Sequence, residues 1–242
     1  MSARRLPLWV GWLLALVVAA MCASLGTWQL QRMHLKQAQL DSAARVLDQR
    51  RVGPLALAAQ AERARGYDWV AGKGQFAATP AILLDNQNRD SRPGVRAYRL
   101  FLAEGTNMPL LVELGWLPLP GDRRLPEVPR PDVDRVSGLL LPPPAAGLVE
   151  AAPQLQPNGQ LLVAALKPEL LAEPLGLSRL PPRVLRLDPA LGFGYARDLE
   201  LLPNTLPPDR HLGYAVQWFA LAAAVVVIAL VLTLRERRKR VG

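Results

Sequence analysis

The amino-acid sequence predicts a membrane-anchored α+β protein, in which two transmembrane helices (N- and C-terminal) flank a mainly antiparallel β extracytoplasmic domain. Residues 6–31 are 26 successive residues without a charged side chain, and residues 214–234 are 21 more. At about 1.5 Å per residue, either block is long enough to cross the hydrocarbon core of a bilayer, about 30 Å. Between them lie short runs of strand-like sequence separated by turn residues.

The first apolar block predicts an uncleaved transmembrane helix within residues 1–27. A cleaved signal peptide is the alternative, but its apolar core would be shorter, and no small-x-small cleavage site stands before Trp28. Cys22 suggests a lipoprotein, yet the bulky Met21 stands where a small residue would be expected. We therefore expect the first helix to remain as an anchor.

The region between the anchors, residues 28–212, reads as a β-rich domain preceded by a polar helix. That helix is expected over 28–50, and Gly53-Pro54 stops it. Strands are predicted at 67–76, 81–88, 95–105, 109–119, 134–141 and 182–188, with a turn at Gly105-Thr106-Asn107. Residues 118–157 contain ten prolines and are predicted to be loop or sheet edge, because proline cannot donate to a sheet. A helix is predicted over 167–177, with Pro168 in its first turn.

Lysine and arginine at the ends of the helices predict the membrane topology. Arg4, Arg5 and the basic tail 235–242 favour a cytoplasmic position for both termini, with 213–234 as the second transmembrane helix. The basic residues that follow the first helix argue the other way, but long loops translocate largely regardless of charge. We expect a two-pass protein of a bacterial inner (plasma) membrane, with its main domain periplasmic, since no organellar presequence precedes the first helix.

Composition and motifs argue against several classes of function. The net charge of +9 is partly a topology signal, and what remains is too scattered to predict nucleic-acid binding. HExxH, CxxC, GxSxG and P-loop motifs are absent, so we predict no enzyme, no catalytic residues and no metal site built wholly from protein side chains. Residues 72–77, GKGQFA, fit a dinucleotide-binding pattern, but strand-like sequence surrounds them and a strand is expected instead.

The two membrane junctions are the most informative part of the sequence. Trp28, Arg32 and Lys36 recur every four residues and share one helix face, with Gln29 beside them. Before the second helix, a stripe runs through His211, Tyr214 or Ala215, and Trp218 at the same outer interface. An aromatic belt with snorkelling cations is the simpler explanation for these residues.

His211 is one of only two histidines, and it lies just above the membrane among aromatic residues. A neutral imidazole there is suited to be an axial ligand of haem iron, with Arg32 or Arg210 paired to haem propionates. The alternative is an ordinary interfacial histidine bonded to a headgroup or a backbone carbonyl.

Together the junctions resemble the Surfeit locus protein 1 family, membrane factors for the biogenesis of haem-copper cytochrome c oxidases. Its first motif, roughly LGxWQLxRxxxK, is matched by Leu25, Gly26, Trp28, Gln29, Leu30, Arg32 and Lys36. Its last motif, roughly HLGYAxQWFxLA, is matched by residues 211–222. Two central blocks also look similar and include Gly94 and the pair Gly115-Trp116, although Glu113-Leu114 stands where the family usually has Asn-Arg.

The resemblance implies an assembly factor that delivers or stabilises haem a while the catalytic subunit of the oxidase matures. His211 matches the family histidine proposed as a haem ligand. The expected partners are the catalytic subunit, the haem a synthesis enzyme and the lipid bilayer, but no nucleic acid. Residues expected at such interfaces are Gly26, Trp28, Gln29, Lys36, Tyr214, Trp218, Gly94, Gly115 and Trp116. The alternative is a membrane-anchored scaffold that binds partner subunits but not haem.

Overall fold

A computed structural model describes residues 7–105, 109–144, 151–201 and 206–241. The chain divides into two compact units, one formed by Met1–Leu40 with Thr205–Gly242 and the other by Asp41–Asn204. The helices are α1 (Leu8–Gln49), α2 (Pro168–Leu171) and α3 (Pro208–Val241). The predicted polar continuation of the first helix is therefore helical as far as Gln49, and α3 continues through the basic tail.

The first unit is an antiparallel pair formed by α1 and α3, whose contact we call the seam. On α1, less exposed positions spaced by three or four residues include Trp12, Ala15, Ala19, Cys22, Gly26, Gln29, Met33 and Lys36. On α3 they are His211, Ala215, Trp218, Ala222, Val225, Ala229, Thr233 and Glu236. This spacing is that of two helices packed along their length, and the many small residues allow close approach of the backbones.

Both helices are long and apolar enough to cross a membrane. Only 6% of the apolar stretch of each helix is buried, so most of the apolar surface of the pair is uncovered. A core helix of a water-soluble protein would bury that surface, whereas lipid would cover it in a bilayer. The pair is therefore consistent with a two-pass membrane protein.

The second unit is built on one eight-stranded sheet with the order β1-β5-β8-β4-β3-β2-β7-β6. The strands are β1 (Asp68–Phe76), β2 (Ile82–Arg89), β3 (Arg92–Ala103), β4 (Pro109–Pro118), β5 (Arg135–Leu141), β6 (Gln154–Leu155), β7 (Leu161–Val163) and β8 (Val184–Leu187). Most neighbours are antiparallel, but β2–β7 and β4–β8 are parallel. The predicted fold class is thus confirmed.

The sheet closes on itself at β3. Residues 92–98 of β3 pair with β2, whereas residues 101–103 pair with residues 74–76 of β1. This second pairing joins β1, β5, β8, β4 and β3 into a five-stranded barrel. The interior is filled by a cluster that includes Val70, Val95, Phe101, Val112, Leu114, Val136, Leu140 and Leu185.

A second apolar cluster lies on the outer face of the same strands. It includes Ile82, Tyr98, Leu100, Leu111 and Val184, together with Leu166, Leu171 and Leu175 from the segment around α2. Side chains alternate between the two clusters along each strand, as in Leu111 outside and Val112 inside. The barrel strands are therefore buried on both faces in this region, and their sequences contain long apolar runs.

All six predicted strands are present, and residues 72–77 lie mostly in β1 rather than at the start of a helix. The prediction of loop or edge for 118–157 is wrong at β5, which lies inside the sheet between β1 and β8. That strand is the proline-free part of the segment, so every ladder donor is available. The helix predicted over 167–177 is only one turn, α2, followed by a 3-10 turn at Glu173–Leu175. Of the predicted turn at 105–107, Thr106 and Asn107 lie outside the described residues.

Candidate functional site

The seam brings Gln29 of α1 against His211 of α3. The Gln29 Oε1 and His211 Nδ1 atoms are 2.7 Å apart. An amide oxygen only accepts, so in this contact Nδ1 carries the hydrogen and donates it. The ring is 7% exposed, and among the described residues its Nε2 atom is buried without a hydrogen-bond partner.

The chemistry of the imidazole follows from this asymmetry. A protonated Nε2 would bury an N–H group without an acceptor, which costs about 1–3 kcal/mol. The neutral ring with hydrogen on Nδ1 avoids that cost and leaves a lone pair on Nε2. A neutral imidazole nitrogen of this kind is the usual histidine ligand for iron. The donor atom thus fits haem iron, although side chains around Nε2 must move before a ligand reaches it.

Two cations lie beside the ring. Lys36 Nζ donates to the carbonyl oxygen of Leu206, just before α3 begins, and so ties α1 to the start of α3. Arg32 is exposed one turn after Gln29 on α1. Both cations act on His211 electrostatically, Lys36 more strongly than Arg32. The positive potential around the ring favours an anionic group, such as a carboxylate, in the ligand.

The other predicted residues of the two junctions lie apart from the His211 contact. Trp28 is 51% exposed and Tyr214 is 44% exposed, so both face away from the seam. Trp218 is half-buried on the seam face of α3. Arg210 is exposed, and because it precedes His211 by one position its side chain is turned about 100° around the helix.

Gly26 has a packing role in the seam. A Cβ atom built at this position would lie 2.8 Å from Cζ of Phe219 on α3. The phenyl ring therefore occupies the space where a side chain would begin. This close approach is one turn from Gln29 and helps to hold the short contact with His211.

Gly94, Gly115 and Trp116 come together in the β unit. The indole of Trp116 lies against Gly94, where a Cβ would be 2.4 Å from its Nε1 atom. That nitrogen donates to the carbonyl oxygen of Gln87 at 2.8 Å. Gly115 has φ +127°, and a Cβ there would be 2.8 Å from the carbonyl of Tyr195. These three residues support the packing of β2, β3 and β4.

Sequence reasoning missed a buried charge cluster on the outer face of the barrel. Glu113 is fully buried and pairs with Arg96 through Oε1 and with Arg186 through Oε2, the latter at 3.1 Å from Nε. Tyr98 also donates to Oε2, at 3.2 Å. Burial alone would raise the pKa of Glu113, but Arg186 and Arg96 outweigh it and lower the pKa. A charged residue within the apolar run of β4 was the available sequence signal.

Among residues 7–105, 109–144, 151–201 and 206–241, no group of three or more His, Cys, Asp or Glu side chains is placed to hold a metal ion. A metal at His211 would therefore find one histidine ligand among the described residues, and its other ligands would have to belong to a larger group that holds it. A haem supplies its own four nitrogen ligands and needs only one or two from protein.

A model of the SURF1 family matches residues 16–223, which include most of α1, the whole β unit and the start of α3 with His211. No match was found among curated proteins.

Proposed function

The chain belongs to the SURF1 family, and on that premise we propose that it assists maturation of a cytochrome c oxidase by delivering or stabilising haem a for the catalytic subunit. The SURF1 family is associated with cytochrome oxidase assembly and is not a known enzyme class. The observation that carries the haem proposal is the buried, unpartnered Nε2 atom of His211.

In this proposal, His211 holds the haem iron and nearby cations hold the carboxylates. Arg32 stands on the His211 side of the junction and is the first choice for a propionate, with Arg210 as the second. Haem a would supply the iron and the macrocycle, while the chain's own residues bind, orient and shield them. The partners would be the catalytic subunit of the oxidase and the enzyme that makes haem a. The seam would lie in a bacterial inner membrane, and the β unit would lie in the periplasm.

A second candidate function is supported by the burial of the same atom. Because side chains cover Nε2, the protein could instead be a scaffold that binds oxidase subunits and never binds haem. Such a scaffold would co-purify with oxidase subunits but would be colourless.

The test compares the two histidines of the chain. His34 is exposed on α1 and is the only other histidine, so His34→Ala is a matched control for His211→Ala. Each variant is purified from cells that make haem a, and its absorption spectrum is recorded. We expect wild type and His34→Ala to retain haem with the same axial-ligand bands, and His211→Ala to lose them.

Equal haem occupancy and unchanged bands in His211→Ala would overturn the ligand assignment. A colourless wild type that still co-purifies with oxidase subunits would favour the scaffold instead. The His34→Ala control separates a specific effect at His211 from a general effect of removing an imidazole.

A further inference from the structure

We propose that Gln29 is a positioning residue for His211: it holds the hydrogen on Nδ1 and fixes the ring so that Nε2 is the nitrogen offered to iron. This inference rests on the proposed haem function but concerns a residue of the other helix. It assigns a specific task to one polar position of the seam.

The two nitrogens of a neutral imidazole compete for one hydrogen, and the partner of one nitrogen decides the outcome. At 2.7 Å, Gln29 Oε1 is within normal hydrogen-bonding range of Nδ1. No described group competes for Nε2. In metal sites, a ligating histidine usually donates its other ring N–H to a carboxylate, a carbonyl or water, which fixes the tautomer and raises ligand basicity. The amide oxygen of Gln29 is the corresponding acceptor for His211.

The position of Gln29 makes the contact well defined. It is three residues after Gly26, whose missing side chain lets α1 and α3 approach at Phe219, and seven before Lys36, which bonds to Leu206. The contact is thus held from both sides along the seam. Nδ1 and Nε2 point to different sides of the ring, so once the side chains that cover Nε2 move, a ligand can approach it while the bond to Gln29 persists.

The experiment first reads the tautomer without haem. The full chain is labelled with ¹⁵N-histidine in the His34→Ala background, which leaves one imidazole to observe. Long-range ¹H–¹⁵N correlation distinguishes a protonated ring nitrogen from one with a free lone pair. We expect a protonated Nδ1 and a bare Nε2 in the parent chain. Gln29→Met has a similar length but no oxygen acceptor for the Nδ1 hydrogen, and we expect it to remove the preference for Nδ1, so that the Nε2-protonated ring becomes populated.

Two further variants make the result specific. Gln31→Met applies the same change two residues away, on an exposed position of α1, and is expected to leave the tautomer unchanged. Gln29→Glu restores an acceptor and is expected to keep hydrogen on Nδ1. An unchanged tautomer in Gln29→Met would overturn the inference, and Gln29→Glu shows whether the position still folds and contacts the ring.

Haem titration of the same variants completes the test. Loss of an outer hydrogen-bond partner typically lowers metal affinity by about 10–100-fold, and we expect a loss of that order for Gln29→Met. Gln29→Glu and Gln31→Met are expected to bind like the parent chain. If Gln29→Met shifts the tautomer but leaves haem affinity unchanged, the inference is overturned while the proposed function is not. A parent chain that takes up no haem would instead overturn the proposed function on which the inference rests.

Discussion

Glu113 lies fully buried on the outer face of β4, and two guanidinium groups hold its carboxylate. Arg96 comes from β3 and Arg186 from β8, the strands on either side of β4. Arg186 is also tied to the carbonyl oxygen of Glu200. Removing one member of a buried ionic cluster leaves uncompensated charge, so each member depends on the others.

Glu113→Gln is expected to destabilise the β unit by about 3–5 kcal/mol at neutral pH, because both arginines lose their counter-charge. The pKa of Glu113 is lower in the folded chain than its ordinary value, burial being outweighed by the two arginines. A lowered folded pKa gives stability that is present above the unfolded pKa, about 4.3, and is lost as the pH falls through the folded pKa.

Urea unfolding of wild type and Glu113→Gln between pH 3 and pH 7 measures this effect. The difference in the free energy of unfolding should be largest near neutral pH and should shrink on the acid side. Glu62→Gln, at an exposed position of the same unit, is the control and should cost little. A pH-independent difference between wild type and Glu113→Gln would contradict the expectation.

The sequence motifs identified Gln29, Lys36 and His211, and the structure brings Gln29 to His211 across 182 positions of chain. Trp28 was predicted to share the helix face of Lys36 but is exposed, because its side chain is turned by about 100° around the helix from that of Gln29. The Glu113 cluster was not predictable in the same way. Its partners are neighbours only because β4 lies between β3 and β8, and that order includes a parallel pairing that local sequence does not encode.

At the scale of elements, the seam depends on small residues. Replacing a glycine inside a helix by alanine normally stabilises the helix by about 1 kcal/mol. Gly11 has no heavy atom within 4 Å of a built Cβ, whereas at Gly26 the ring of Phe219 is 2.8 Å away. The same substitution should therefore have opposite effects on the helix pair: Gly11→Ala stabilises it, and Gly26→Ala weakens it by about 1–3 kcal/mol.

SDS titration of the chain in a mild detergent gives the stability of each variant. The double variant Gly26→Ala, Phe219→Ala should recover part of the loss, since it removes the ring that a new Cβ would meet. If Gly26→Ala is as stable as Gly11→Ala, the close packing at Phe219 does not limit the seam.

Strand positions were predictable because alternating or wholly apolar runs end at turn residues, as in β1 and β2. The position of β5 inside the sheet was not, because the prolines around it suggested an edge. Closure of the barrel was also not predictable from local sequence patterns. It depends on three residues of β3 that pair with β1 after the earlier part of β3 has paired with β2.

For the whole molecule, the proposed topology places the β unit outside the cytoplasm and both termini inside. The only cysteine, Cys22, lies in α1, so a Cys22→Ala chain is a clean background for labelling. Glu62→Cys and Lys239→Cys then put one thiol on an exposed residue of either region. In intact spheroplasts, a membrane-impermeant maleimide should label Glu62→Cys but reach Lys239→Cys only after permeabilisation. The reverse pattern would contradict the topology.

The seam also sets an order of events during synthesis. Trp12 donates to Thr233 across 221 positions, at 2.9 Å, and Gln29 meets His211 across 182. At about 5–20 residues per second, Gln29 is made roughly ten to forty seconds before His211. For that interval the small-residue face of α1 is open to other helices in the bilayer. A message that stops before codon 211 would still encode β1 to β8, but its product would lack His211, so the Gln29–His211 contact forms only after residue 211 has been made.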